Sequence, residues 1–253
     1  MRIFHKALSL VKEDGVPALF AKICNKLAYD IKNITLSLYY AVRMKILPPV
    51  GDARSLAAFV FTGCGGFIKP AQIQSEIAEF ISLLYERKPK TLLEIGTASG
   101  GTLFLLSRSA SENATVISID MLYGKFGGGY YAWKIPLYRS FAMPRQRLHL
   151  IRDDSHNAGT VKKIGGILKG TKIDLLFIDG DHAYEGVKKD FELYAPFVSK
   201  GGIIAFHDIV IHPRETGCEV HRFWEEVKKG CRYQEIIADR GQIGCGIGVL
   251  YVD

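Results

Sequence analysis

The sequence predicts an α/β fold: a doubly wound, mostly parallel sheet with helices on both faces. Three observations carry this reading. From Thr91 onward, short apolar runs alternate with amphipathic runs of helical period, a pattern that needs crossover connections and buries the sheet on both sides. A glycine-rich turn, "GTASGG", joins the first strand to its helix. Five strands end in acids or imidazole: Glu94; Asp120; Asp153 and Asp154; Asp179 and Asp181; His207 and Asp208. Ligands bind outside the carboxyl ends of the strands in such sheets, so these residues form one polar rim. Helix capping explains one such Asp, but not the whole set.

Each element follows in order. Residues 1–46 read as basic helices, with Leu19, Phe20, Ile23 and Leu27 at helical spacing. "LPPVG", Leu47 to Gly51, breaks them, dividing the chain into a basic helical segment, 1–50, and a main domain, 51–253. Packing of the apolar stripe on the main domain is the preferred role for the segment; contact with an anionic lipid surface is the alternative. A helix from Pro70 carries Ile73, Ile77, Phe80, Ile81 and Leu84. "TLLEI" is a strand and "GTLFLLSRSA" a helix; "TVISID", "LHLIRDD" and "IDLLFID" are strands. "GVKKDFELYAPFV" is a helix, "GGIIAFHD" a strand, and "EVHRFWEEVKK" a helix with Val220, Phe223, Trp224 and Val227 on one face. "QEIIAD" and "GIGVLYVD" close the chain as an antiparallel hairpin.

Composition narrows the class. With 253 residues, 48% of them hydrophobic, the chain builds a large core. A net charge of +7 favours anionic ligands without marking a nucleic-acid surface. Five widely spaced cysteines, with no CxxC pair and an odd count, argue against a disulfide framework and for a reducing, cytoplasmic setting. No apolar run of spanning length and no signal-peptide pattern is seen, which leaves peripheral membrane contact through residues 1–50. Self-association is a further expectation.

The turn after the first strand departs from the dinucleotide fingerprint, since its glycines fall at 96, 100 and 101. Gly96 takes a conformation closed to other residues, and Gly100 and Gly101 are expected to let a ligand approach the backbone. Glu94 would repel a pyrophosphate and welcome a cationic amino group. Asp120 is placed to accept hydrogen bonds from both hydroxyls of a ribose. The ligand implied has a ribose and an amino acid but no phosphate.

These residues, with "LIRDDS" and the terminal strand pair, resemble class I S-adenosylmethionine-dependent methyltransferases. "FGGGYYAWKIPLY", "FIDGDHAYEGVKKDFELYAPFVSKGGIIAFHDI" and "FWEEVK" are similar to a bacterial subgroup related to cephalosporin hydroxylase-like and macrocin-type O-methyltransferases. The resemblance spans about residues 65 to 253. It implies a Rossmann-like, seven-stranded sheet with an antiparallel last strand, and S-adenosyl-L-methionine as cofactor. It further implies a cofactor site of Glu94, Gly96, Thr97, Gly100, Asp120, Asp154, Ser155 and Asp179, with the adenine flanked by Asp154 and Ser155. The acceptor it implies is a hydroxyl of a sugar, glycoside or related small molecule, in polysaccharide or natural-product biosynthesis.

On the acceptor side, Asp179 and Asp208 end adjacent strands, so their charges repel unless a proton or cation lies between them. A divalent cation such as magnesium, held by Asp179, Asp208 and His207, is one solution. His207 stands where the macrocin-type relatives carry an acid, which also admits a softer ion, a general-base role or a hydrogen bond to Asp179. Asp181 is the expected base if a metal is present, and His182 or His207 if it is absent. The loop "KFGGGYYAWKIPLY" either folds over the site or anchors its rings in the core. Three other readings stay open: a metal-dependent hydroxylase using His182, His207 and Asp208, a nicotinamide-dependent oxidoreductase, and a binding protein without catalysis.

Overall fold

Seven strands, β1 (Thr91–Ile95), β2 (Thr115–Ile119), β3 (Arg147–Ile151), β4 (Ile173–Ile178), β5 (Val198–His207), β6 (Arg232–Ile236) and β7 (Ile247–Tyr251), pair in the order β3-β2-β1-β4-β5-β7-β6. The ladders from β3 to β5 are parallel, and β7 runs antiparallel to both β5 and β6. The order reverses between β1 and β4, the switch point at which such sheets open a ligand crevice. This computed structural model describes residues 2–46, 48 and 51–253, with side chains from Val16 onward. Leu47, Pro49 and Val50, most of the expected boundary, lie outside the described residues.

The central strands are apolar on both sides because helices cover both. Leu92, Val116, Leu175, Phe177 and Ala205 pack on one layer, with α2 (Ala53–Thr62), α3 (Gln74–Arg87), α4 (Gly101–Ser109) and α5 (Ile135–Arg139). Leu93, Ile117, Leu176 and Ile204 face the other, with α6 (Ala158–Leu168), α7 (Tyr184–Tyr194) and α8 (Val220–Val227). The strand period of two sorts these side chains. Helices α2, α5 and α6 escape a periodicity reading. In α6, Gly165 and Gly166 lower the intrinsic propensity, and burial of Ile164 and Leu168 holds the helix. In α8, Val220, Phe223 and Trp224 are buried as the spacing expects.

The N-terminal segment is a single helix, α1 (Arg2–Ile46), which runs through Pro17. It docks by a face the sequence reading did not select. Ala41 and Met44 join the core, Ser37 Oγ donates to the Trp133 carbonyl at 2.7 Å, and Tyr40 packs on Phe67. Phe20, Ile23 and Leu27, expected to pack on the domain, are exposed, and Ile31, Ile34 and Leu38 continue that exposed stripe. The correction has a simple cause: the face of Asn33, Ser37, Ala41 and Met44 meets α5 and the Trp133 turn, so the stripe through Ile31, Ile34 and Leu38 lies on the helix's other side. No helix among the described residues is long and apolar enough to cross a membrane.

Candidate active site

A cavity of about 470 Å³ opens at the carboxyl ends of β1 to β5. That volume suits a small organic ligand. Its walls are the loops that leave those strands, so the fold gathers the polar rim into one chamber.

The glycine turn forms one wall through Gly96, Thr97, Ala98 and Ser99. Gly96 has φ +95°, and a Cβ there would lie 1.9 Å from the Asp179 carbonyl oxygen. Gly100 has φ +92°, and its Cβ would meet the Tyr138 ring at 2.4 Å; that of Gly101 would meet the Ile68 carbonyl at 2.3 Å. These glycines therefore serve the protein's own packing, which corrects the expectation that Gly100 and Gly101 admit a ligand. Gly100 does not line the cavity; it starts α4 in a left-handed conformation. Gly96→Ala is expected to cost about 3 kcal/mol, from overpacking added to backbone strain. Urea denaturation measures it, and an unchanged midpoint refutes this account of the turn.

Asp120 ties two loops together. Its Oδ2 accepts the Thr97 and Ala98 amides at 3.0 and 2.6 Å, and its Oδ1 accepts the Gly129 amide at 2.9 Å. Burial pushes this carboxyl up, against the backbone amides of Ala98, Gly129, Thr97 and Met121, which favour its charge. A carboxylate offers about four acceptor positions, so the hydrogen bonds from Thr97, Ala98 and Gly129 leave it one more rather than two.

Glu94 lies beneath the cavity floor rather than on its wall. It is fully buried; Oε2 accepts the Ser118 hydroxyl at 2.7 Å, while Oε1 has no partner. Burial raises its carboxyl well above the usual range; the charges of Asp120 and Asp179 add to this, and the Ser118 bond opposes it. Thr97 Oγ1 also bonds Ser118 Oγ, so the turn, β1 and β2 share one hydroxyl network. Gln72, which the sequence reading missed, lines the same end. Its Nε2 reaches Asp179 Oδ2 at 3.4 Å, and its Oε1 is buried without a partner. No motif marked it, because it precedes α3 and joins the site only through the fold.

At the opposite end, Asp153, Asp154, Ser155 and His156 line the cavity. Asp154 Oδ1 accepts the His156 amide at 2.8 Å, and Tyr194 Oη donates to the Ser155 carbonyl at 2.7 Å. The loop is thus shaped by its own acid and by α7.

Three histidines surround one acid at the end of β5. Asp208 Oδ2 lies 2.7 Å from His182 Nδ1, and its Oδ1 lies 2.9 Å from His212 Nε2 and 3.3 Å from His207 Nδ1. The same His207 nitrogen is 3.1 Å from Asp179 Oδ1. An imidazole therefore bridges the two carboxylates, the position where the sequence reading sets a cation. Burial would lower both imidazoles. For His182 it is outweighed by hydrogen bonds to Asp208 and Cys218 and by the charges of Asp179 and Asp208, which push it up to about 10. For His207, Asp179 and Asp208 outweigh it and hold the ring well above its ordinary value. Burial would raise Asp208, yet the three histidines hold its carboxyl far below the ordinary range. Asp208 also adopts φ +64°, a left-handed conformation that Asp tolerates better than most residues. Asp181 lines the cavity, and its Oδ1 accepts the Ala183 amide at 2.9 Å ahead of α7.

The aromatic loop divides its roles. Gly124, Lys125, Phe126, Gly127 and Gly128 line the cavity, and Phe126 stands 5.2 Å from the His182 ring. Tyr130 is buried against Tyr138, and Trp133 packs between Tyr131 and Phe67. The glycines thus cover the site, and the rings after them anchor the loop.

A family model described as a methyltransferase domain matches residues 93–209. The O-methyltransferase TomG of Streptomyces achromogenes, solved with S-adenosylmethionine and described as involved in tomaymycin synthesis, superposes with a TM-score of 0.51 at 19% identity, over 83% of this chain and 93% of that one. A putative O-methyltransferase of Klebsiella pneumoniae gives 0.52 at 15% identity, over 83% and 94%. An uncharacterized protein of Acanthamoeba polyphaga mimivirus is 32% identical over 142 residues, 56% of this chain and 62% of that protein. One from Sinorhizobium fredii is 29% identical over 148 residues, 57% of this chain and 16% of that protein. The chain thus spans less than two thirds of the length of these curated relatives. Residues 93–209 thus match the methyltransferase-domain family model, and the chain carries the Rossmann-like methyltransferase fold of these structures.

Proposed function

We propose that this protein transfers the methyl group of S-adenosyl-L-methionine to a hydroxyl of a small molecule, with a sugar or glycoside as the acceptor class. The observation that carries the reading is one cavity that holds an acid for a ribose and an unpartnered buried acceptor for an ammonium. Gln72 Oε1, on the cavity wall, is a buried acceptor without a donor, and a methionine ammonium supplies one, with the Glu94 carboxyl lying beneath the floor. Asp120 takes one ribose hydroxyl beside its three amides, and the loop of Asp154 and Ser155 borders the adenine. Asp181, His182 and His207, which line the same cavity, would then stand on the acceptor side of the bound cofactor.

The cofactor brings the electrophile, so the protein has to align an in-line attack and remove one proton. His207 is buried, with Nδ1 held between two carboxylates, and His182 is tied to Asp208 and Cys218. Asp181 keeps one oxygen without a protein donor among the described residues, which makes it the base. A carboxylate is a weak base for a sugar hydroxyl, so a positive charge beside the acceptor oxygen has to lower that hydroxyl's pKa. A cation held near Asp179, His207 and Asp208, or the His182 imidazolium, supplies it.

The test is direct. Calorimetry is expected to give saturable binding of S-adenosylmethionine and S-adenosylhomocysteine and none of NADH. Tight NADH binding, or no binding of either sulfur nucleoside, refutes the reading. Mass spectrometry of glycans from cells lacking the protein, searched for a lost methyl group, identifies the acceptor.

The exposed stripe of α1, flanked by Lys22, Lys26 and Lys32, supports peripheral contact with an anionic membrane from the cytoplasmic side. Replacing Leu27 and Leu38 together by Glu is expected to abolish co-flotation with phosphatidylserine vesicles while leaving cofactor affinity intact. Unchanged flotation, or none by the native chain, rejects the contact.

A further inference from the structure

We propose that His182, Asp208 and Cys218 form a binding site for a borderline-soft divalent cation of the zinc type, with its open coordination position toward the acceptor end of the cavity. This differs from the magnesium expected between Asp179 and Asp208 in both ligands and ion.

Three separate elements bring the ligands together: the loop after β4, the residue after β5 and the turn before α8. One nitrogen, one oxygen and one sulfur atom from them lie within 4.8 Å of one another. Asp208 and Cys218 are buried, while His182 lines the cavity. Magnesium takes oxygen ligands, whereas an imidazole with a thiolate selects zinc or a similar ion. Three protein ligands and one open position is the pattern of catalytic rather than structural zinc.

The surroundings are built to hold such a set. Asp208 Oδ1 is oriented by His212 Nε2 at 2.9 Å, leaving Oδ2 toward His182. Outer partners of this kind fix ligand geometry. The Glu219 amide donates to the His182 carbonyl at 2.7 Å, which locks the loop after β4 onto the turn that carries Cys218. The neighbouring His207 has a buried Nε2 without a partner, so the region is short of ligands for its own polar atoms. A second trio, His207, Asp208 and Cys245, converges on the other side of the same carboxylate. On binding, the ion replaces the proton shared by His182 and Asp208 and the thiol proton of Cys218. Its role in acidifying an acceptor hydroxyl, with Asp181 taking the proton, rests on the methyl-transfer reading; the site itself does not.

The experiment is a cobalt(II) titration of the full chain, stripped of metal and kept reduced, with absorption as readout. A one-to-one complex is expected, with intense visible bands of a four-coordinate ion and a near-ultraviolet thiolate-to-cobalt band. Cys218→Ser should remove the thiolate band, and His182→Gln should weaken binding by about 100-fold or more, beyond the loss of an outer partner. Cys245→Ser should leave the thiolate band in place. Weak bands of a six-coordinate ion without the thiolate band, or a band lost in Cys245→Ser but kept in Cys218→Ser, overturns the assignment. Circular dichroism shows that the variants fold. Cofactor calorimetry on the same samples separates failure of this site from failure of the methyltransferase reading.

Discussion

Asp181→Asn is expected to lower kcat by roughly two to four orders of magnitude, the span typical of losing a general base. Affinity for S-adenosylmethionine is the control, because Asp181 packs on Gly186, whose carbonyl meets His156 of the Asp154 loop, and a nearly isosteric change there should leave cofactor binding within about threefold. The substitution is nearly isosteric. The amide side chain it introduces keeps an oxygen for the Ala183 amide, so the start of α7 is preserved. Stability should therefore move by less than about 1 kcal/mol. What is lost is the negative charge that accepts the hydroxyl proton as the methyl group transfers. Steady-state kinetics on the identified acceptor measures the effect. Normal turnover in Asp181→Asn would return the proton to His182 or His207, and His182→Gln and His207→Gln then decide between them. Normal turnover in all three would reduce "FIDGDHAYEG" to a strand end and a helix cap.

Asp120→Ala is expected to weaken S-adenosylmethionine binding by about 2–4 kcal/mol, or roughly 30- to 1,000-fold. Two losses combine. The ribose loses a charge-assisted acceptor. The amides of Thr97, Ala98 and Gly129 lose theirs as well, so the glycine turn and the covering loop come apart on the same side of the cavity. Asp120→Asn separates the two. Its remaining carbonyl oxygen satisfies part of the amide set, so it should recover much of the stability and less of the affinity. Calorimetry gives the affinities and urea denaturation the stabilities. Unchanged affinity in Asp120→Ala would remove the ribose assignment.

The sequence by itself determined the sheet and the rim. Apolar runs such as "TLLEI" and "IDLLFI" are buried whichever neighbour they meet, and the last residues of parallel strands must emerge at the same edge. That is why Asp120, Asp154, Asp179, Asp181, His182, His207 and Asp208 were legible and do line one cavity. Only the tertiary structure decided what each polar group faces, because that depends on contacts far apart in the chain. Gly100 is a glycine because Tyr138 crosses it, and Gly96 because Asp179 does. Glu94 is drawn under the floor by Ser118, its register partner on β2. Gln72, His212 and Cys218 carry no local signal, yet the fold sets them against Asp179, Asp208 and His182. The docking face of α1 was hidden for the same reason. Amphipathic spacing marks which residues share a stripe, and only the position of α5 and Trp133 selects the stripe that is covered.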